Sequence, residues 1–118
     1  MRLWPPLMIM VAGLPANWTA TESATNFVTG GGSAAETIAK SRLSYWSGPV
    51  TASTGIGVRV PGQLTALNAV SLSAPITAFA LQAVVLGTST SWNPTIVVAV
   101  PASAVAGTYT GKVTHSVA

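Results

Sequence analysis

Turn signals alternate with short apolar segments along the whole chain, and this alternation restricts the fold more than any other feature of the sequence. The segments between the turns are rich in Val, Ile, Thr and aromatic residues, which favour β-strands. Short strands separated by frequent turns are typical of β-sandwiches and β-barrels. The turn signals are Gly30-Gly31-Gly32-Ser33, Ser47-Gly48-Pro49, Gly55-Ile56-Gly57, Pro61-Gly62, Gly87-Thr88-Ser89, Asn93-Pro94 and Ala106-Gly107.

Apolar and polar residues alternate within these segments with the period of two that a half-buried strand requires. Only residues 64–70 fit a helical turn, and that stretch is too short to form a stable helix. We therefore predict an all-β protein, an antiparallel β-sandwich of the immunoglobulin-like Greek-key type, with a single domain over residues 17–118. The alternating sets are Trp18 and Ala20; Phe79, Leu81, Ala83 and Val85; Ile96, Val98 and Val100; and Tyr109, Val113 and Val117.

The composition is that of an exported, threonine-rich β-domain. Only 6% of the residues are charged, against about 25% in an average soluble domain. Ser and Thr together occupy 27 positions, and a hydrophobic fraction of 49% argues against intrinsic disorder. Because the chain has no cysteine, disulfides, thiolate chemistry and cysteine-based zinc sites are excluded.

The charged residues are too few and too scattered along the sequence to predict a nucleic-acid-binding surface. The sequence pI of about 10.0 reflects a scarcity of acids, because Asp is absent and Glu22 and Glu36 are the only carboxylic side chains. Phosphate binding needs a clustered basic stripe. A weak attraction to anionic wall polymers stays open, and salt would screen it beyond about 8–10 Å. The basic residues are Arg2, Lys40, Arg42, Arg59 and Lys112.

Residues 1–16 do not fit the pattern of the rest of the chain. One arginine followed by an apolar run superficially resembles a signal peptide, but Pro5-Pro6 would break its helix. The run is also shorter than the ~18–20 apolar residues of a membrane-spanning helix. Three interpretations stay open: a degenerate export signal, a short apolar edge strand, or a truncated N-terminus whose missing strand leaves a sheet edge open to self-association.

The inventory of catalytic residue types argues against an enzyme. A Ser-His-acid triad would have to combine the single His115 with Glu22 or Glu36, and a metal site would barely reach three ligands. We expect both carboxylates at the solvated surface, and we expect His115 to be either packed or on an edge strand. Residues 30–32 lack the Lys-Ser/Thr pair of a phosphate-binding loop, so we interpret them as a hairpin loop followed by a weak capping-box signal. We predict no catalytic, metal-binding or cofactor-binding residues.

Aromatic side chains are the better lead to a function. Tyr45 and Trp46 are adjacent in a predicted strand, so one ring points to each face of the sheet. Trp92 precedes the turn at Asn93-Pro94, where a ring is often exposed. Exposed indoles would form a flat platform for sugar rings, whereas the alternative is that Trp18 and Trp92 fill the core. The candidate ligand-binding or wall-binding residues are Trp18, Tyr45, Trp46, Trp92, Tyr109 and His115.

Four segments carry a family resemblance: Trp18-Thr19-Ala20-Thr21, Phe27-Val28-Thr29-Gly30-Gly31-Gly32, Tyr45-Trp46-Ser47-Gly48-Pro49 and Gly107-Thr108-Tyr109-Thr110-Gly111. Together they resemble the WxL domain of Gram-positive bacterial surface proteins and related secreted proteins of actinobacteria, over residues 17–118. The chain departs from the family at Ala20, where the first motif has Leu, and at His115-Ser116-Val117, where the second motif has Trp-x-Leu.

The resemblance implies a non-catalytic, secreted domain that associates with the cell wall, through peptidoglycan or another wall glycan, or is displayed on it. Two alternatives stay open. One is a carbohydrate-binding module that uses exposed Trp residues, and the other is a structural subunit that self-associates through an open sheet edge. Under each of them we expect no nucleic-acid partner, no transmembrane segment and no cofactor.

Overall fold

The computed structural model describes residues 9–14, 17–84 and 87–118, and their regular structure is almost entirely β. All strand pairs are antiparallel, and the sheets pack around one core, which confirms the predicted all-β antiparallel sandwich. The strands are β1 (Ile9–Leu14), β2 (Trp18–Ala24), β3 (Phe27–Val28), β4 (Thr37–Ile38), β5 (Leu43–Trp46), β6 (Val50–Thr54), β7 (Val58–Pro61), β8 (Val70–Ser71), β9 (Ile76–Gln82), β10 (Thr88–Trp92), β11 (Thr95–Val98) and β12 (Val113–Val117), and short 3-10 turns cover Ala34–Glu36, Lys40–Arg42 and Ala66–Asn68.

One layer of the sandwich is a four-stranded sheet in the order β12-β2-β9-β7. The other contains two three-stranded sheets, β1-β10-β6 and β11-β5-β8. These two sheets share the same two passes of the chain, because β10 continues into β11 after Asn93-Pro94 and β5 continues into β6 after residues 47–49. They therefore form one bent layer. The hairpin β3-β4 forms a separate two-stranded sheet.

The core between the layers is built on stacked aromatic rings. The Trp92 ring lies 4.6 Å from that of Phe79 and 6.1 Å from that of Trp18, measured between centroids. Trp92 Nε1 donates a hydrogen bond of 3.1 Å to the hydroxyl oxygen of Tyr45, which satisfies the indole inside the core. Trp92 is only 1% exposed and Trp18 only 3%, so the expectation of an exposed Trp92 is wrong. The alternative, that both tryptophans fill the core, is confirmed.

The predicted alternation holds in the strand interiors and fails at the strand ends. Trp18 and Ala20 are buried on β2, and Ile96 and Val98 are buried on β11. Val100 lies two residues beyond the end of β11 and is half-exposed. The same holds for the set on β9: Phe79 and Leu81 are buried, Ala83 lies past the strand end with a positive φ, and Val85 is outside the described residues.

The N-terminal segment contributes an edge strand. Residues 9–14 pair with β10, from Ile9 opposite Trp92 to Leu14 opposite Thr88, with a bulge between Ala12 and Leu14. For residues 9–14 the pairing agrees with the interpretation of an apolar edge strand. The rest of residues 1–16 lies outside the described residues. The predicted helical turn in residues 64–70 is present as the 3-10 turn Ala66–Asn68. In the described part of the chain, no helix is long and apolar enough to cross a membrane.

Candidate functional site

Backbone contacts bring together two segments that carry three basic residues, with Lys40 and Arg42 in one segment and Lys112 far along the chain in the other. The turn after β2 holds the backbone of Lys112, because Lys112 N donates to Thr25 Oγ1 and Thr25 N donates to Lys112 O, each at 2.9 Å. The next residue, Asn26, accepts a hydrogen bond of 2.9 Å from Lys40 N through its Oδ1. Arg42 ends the 3-10 turn that Lys40 begins. We call this region, defined by Lys40, Arg42 and Lys112, the cationic end.

The charges of the cationic end are not neutralised by the protein. In residues 9–14, 17–84 and 87–118, the side chains of Lys40, Arg42 and Lys112 make no hydrogen bond or ion pair. Arg59 differs, since it lies between the layers, and its guanidinium donates to Thr90 Oγ1 at 3.0 Å and to backbone carbonyls of the neighbouring strands. Arg59 therefore has a structural role, whereas the cationic end can attract anions from solution.

An apolar groove of about 470 Å³ lies beside the cationic end. Tyr109 closes one wall: its hydroxyl donates a 2.7 Å hydrogen bond to Val105 O, with Ala35 O at 3.2 Å, and so ties the segment after β11 to the β3-β4 loop. Tyr109 was predicted as a candidate from the sequence, whereas the rest of the groove was not, because it forms only when distant segments meet. Its other principal lining residues are Phe27, Ile38, Val98, Val100 and Val105.

The groove and the cationic end share backbone contacts. Ala99, between two lining valines, donates its N–H to Arg42 O at 2.9 Å. Gly111 packs directly on the Phe27 ring, where a Cβ would stand only 2.6 Å from Cδ1, and Lys112 is the next residue. Lys40 follows the lining residue Ile38 by two positions. All three basic residues are thus attached to the rim of the groove.

Trp46 lies on the opposite, outer face of its strand from the core. Its neighbours Leu43 and Tyr45 are completely buried, and the alternation of β5 leaves Trp46 half-buried on the other side of the sheet. This confirms that the Tyr45-Trp46 pair presents one ring to each face. Trp46 is paired with Thr95 across the sheet. Of the predicted aromatic candidates, Trp18, Tyr45 and Trp92 are core residues, and Trp46 and Tyr109 are accessible.

His115 contacts a buried carboxylate. On neighbouring strands, His115 of β12 lies directly opposite Glu22 of β2, and His115 Nδ1 contacts Glu22 Oε2. Glu22 is completely buried, and beyond this contact neither of its carboxylate oxygens has a hydrogen-bond partner among the described residues. Burial raises the pKa of Glu22, and the contact with His115 partly opposes that effect. Burial also raises the pKa of Tyr45, and the charge of Glu22 adds to that increase.

The prediction that both carboxylates are at the solvated surface is wrong for Glu22 and right for Glu36. Glu36 lies in the β3-β4 loop, where its carboxylate accepts hydrogen bonds from Gly31 N and Ser33 N at 3.2 Å and from Ser33 Oγ at 2.6 Å. These bonds lower the pKa of Glu36, and they form the capping box that the sequence indicated. The two acids thus lie in separate places, each with its own partners. No cluster of three or more metal-ligating side chains occurs in the described part of the chain.

The comparisons with known proteins return nothing for this chain: no family model, no curated protein and no solved structure matches it. The resemblance to WxL domains therefore stays a hypothesis based on the four segments named above.

Proposed function

We propose that the protein is a non-catalytic, secreted β-sandwich domain that associates with the bacterial cell wall through an anionic wall glycan. The observation that carries the proposal is the cationic end, where backbone contacts bring the segments of Lys40, Arg42 and Lys112 together and their side chains have no neutralising partner among the described residues. Both carboxylates of the chain are already engaged, Glu22 with His115 and Glu36 with its own loop. The anions that complement the cationic end must come from another molecule.

The expected interaction is electrostatic and salt-sensitive. A cation in contact with water gains about 1 kcal/mol or less from each contact with an anionic group. Such contacts become useful on a polymer, because repeated carboxylate or phosphate groups allow many weak contacts at high effective concentration. Raising the ionic strength shortens the Debye length and weakens them.

Co-sedimentation with purified Gram-positive cell walls tests this proposal. The full chain is incubated with walls that carry their phosphate-bearing polymers and with walls from which those polymers have been extracted, each over a salt series. The variant Lys40→Gln/Arg42→Gln/Lys112→Gln removes the charges, and Lys40→Arg/Arg42→Lys/Lys112→Arg is the matched control that keeps them. Circular dichroism verifies that both variants fold.

We expect the wild type and the charge-conserving variant to pellet with intact walls at low salt, and the neutral variant to remain in the supernatant. Extraction of the anionic polymers should reduce pelleting. If the neutral variant pellets as well as the wild type, or if nothing pellets with a folded protein, association through the cationic end is refuted.

Carbohydrate binding through Trp46 is a second candidate, because this indole is half-buried on an outer sheet face beside hydroxyl-bearing residues. Flat aromatic faces of this kind can support sugar rings. The distinguishing result is pelleting that resists salt and is lost in Trp46→Ala. Val60→Ala, a change of an exposed residue on β7 in the other layer, is the control that should leave pelleting unchanged.

A further inference from the structure

We propose that the apolar groove is a binding site for a free single-chain amphiphile with an anionic head group, of which a long-chain carboxylate is the simplest. Its volume of about 470 Å³ lies in the range of about 300–1,000 Å³ that is usual for small-molecule sites. The lining leaves apolar surface exposed, since Val100 is 50% and Val105 is 44% accessible. An acyl chain would remove this surface from water.

The chemistry of the lining favours an acyl chain over a sugar ring. Tyr109 carries the only polar side-chain group in the lining, and its hydroxyl is already engaged by Val105 O. A sugar in the groove would leave its hydroxyl groups without hydrogen-bond partners, which is costly in an apolar environment. A methylene chain makes no such demand.

The charge at the rim determines the head group. The segments that bear Arg42 and Lys112 contact the lining directly, through Ala99 N to Arg42 O and through Gly111 on the Phe27 ring. The acidic residue nearest in the chain, Glu36, directs its carboxylate into the backbone amides of its own loop. An anionic head group is therefore attracted to the rim, and a cationic head group is repelled.

Isothermal titration calorimetry of the full chain with three twelve-carbon probes tests this inference. Sodium dodecanoate carries an anionic head, dodecyltrimethylammonium a cationic head and dodecyl maltoside a neutral head, and each is used below its micelle concentration. We expect dodecanoate to bind about tenfold more tightly than the cationic probe. Equal affinity for the two charged probes would overturn the role of the rim.

Two substitutions in the groove complete the test. Val105→Asp and Val100→Asp each place a carboxylate among the lining side chains and should weaken dodecanoate binding by about tenfold or more. Val60→Asp is the matched control, since Val60 is 41% exposed and lies on β7, an edge strand away from the groove lining. This variant should change the affinity for dodecanoate by less than about twofold.

Unchanged dodecanoate binding in both groove variants would refute the site. Binding to phosphatidylglycerol vesicles without binding to monomeric dodecanoate would also overturn the inference, because it would identify a membrane surface as the partner. Wall pelleting separates this inference from the proposed function, because Val105→Asp should lose dodecanoate binding and keep salt-sensitive pelleting. A wild type that binds dodecanoate but does not pellet with walls would count against wall association alone.

Discussion

Glu22 lies in the core on β2, whereas Glu36 lies at the surface in the β3-β4 loop, and these are the only two carboxylic side chains of the chain. Glu36 accepts three hydrogen bonds from Gly31 and Ser33, which favour its charged form and lower its pKa. Glu22 has only His115, and burial raises its pKa. A surface carboxylate with amide partners is thus held charged more firmly than a buried one with a single ion pair.

The different places of the two carboxylates also leave the basic residues of the cationic end without an acidic partner. Neither carboxylate is available to the basic residues, because one is inside the sandwich and the other is directed into a loop. The cations at the end of the sandwich are left for an external partner. Because Glu22 is buried, its carboxylate does not pair with the basic residues at the surface.

Removing the contact between His115 and the buried Glu22 should lower the free energy of unfolding the most. In His115→Ala, Glu22 loses the one partner recorded for it and stays buried, so the free energy of unfolding at pH 7 should fall by about 1–3 kcal/mol. The value is below that of a fully buried pair because the His115 side chain is 28% exposed. Urea denaturation followed by tryptophan fluorescence measures the loss.

The double variant Glu22→Gln/His115→Ala is the control for this prediction. With the buried charge removed, the loss of His115 should cost much less than it does in the wild-type background, since no ion remains uncompensated. Equal losses in the two backgrounds would show that His115 stabilises β12 by packing alone.

A substitution that disturbs the backbone of the Glu36 loop should lower the free energy of unfolding by an intermediate amount. Gly30 has φ of 55°, and a Cβ at this position would overlap the Glu36 carboxylate. In Gly30→Ala, the left-handed conformation alone costs about 1–2 kcal/mol, and the carboxylate must leave its amide partners. Gly32→Ala is a useful comparison because its φ is also positive, at 76°, but no atom lies within 4 Å of the added Cβ. A smaller loss in Gly32→Ala would separate the collision from the backbone strain.

The sequence predicted the two sites unequally, for physical reasons. The capping box is local, so Ser33 and Glu36 could be recognised from their spacing alone. Glu22 continues the buried alternation of Trp18 and Ala20, and this pattern was the available signal for its burial. Residue type outweighed it in the prediction, because carboxylates are rarely buried unless they are paired, and the partner is on a strand far along the chain.

The cationic end was beyond sequence reasoning for a similar cause. Lys40 and Arg42 share one turn, but Lys112 lies far along the chain and is brought to them by a contact with Thr25 that spans 87 residues. The groove likewise depends on which strands pair. Strand segments and their buried faces follow from local alternation, whereas the pairing of distant strands is set by the packing of the whole core.

The pH dependence of stability should differ in sign between the two carboxylates. Because its pKa is raised in the folded state, Glu22 contributes stability that is present below the ordinary value of 4.5 and is lost as the pH rises through the folded-state pKa. In Glu22→Gln this alkaline-side loss should disappear. Unfolding free energies of wild type and variant between pH 4 and pH 8, measured by urea denaturation, should therefore move in favour of the variant as the pH rises; parallel curves would contradict the raised pKa.

Glu36 should give the smallest effect, with the opposite sign. Since its pKa is lowered in the folded state, it contributes stability that is present above 4.5 and is lost as the pH falls through the folded-state pKa. Glu36→Gln should remove this acid-side loss, so the stability of wild type should approach that of the variant as the pH is lowered from 5 to 3. The effect is small because the carboxylate is in contact with water and salt screens it. The same urea series at these pH values measures it, and a wild type whose advantage over Glu36→Gln grew on acidification would show that the hydrogen bonds in the loop do not favour the charged form.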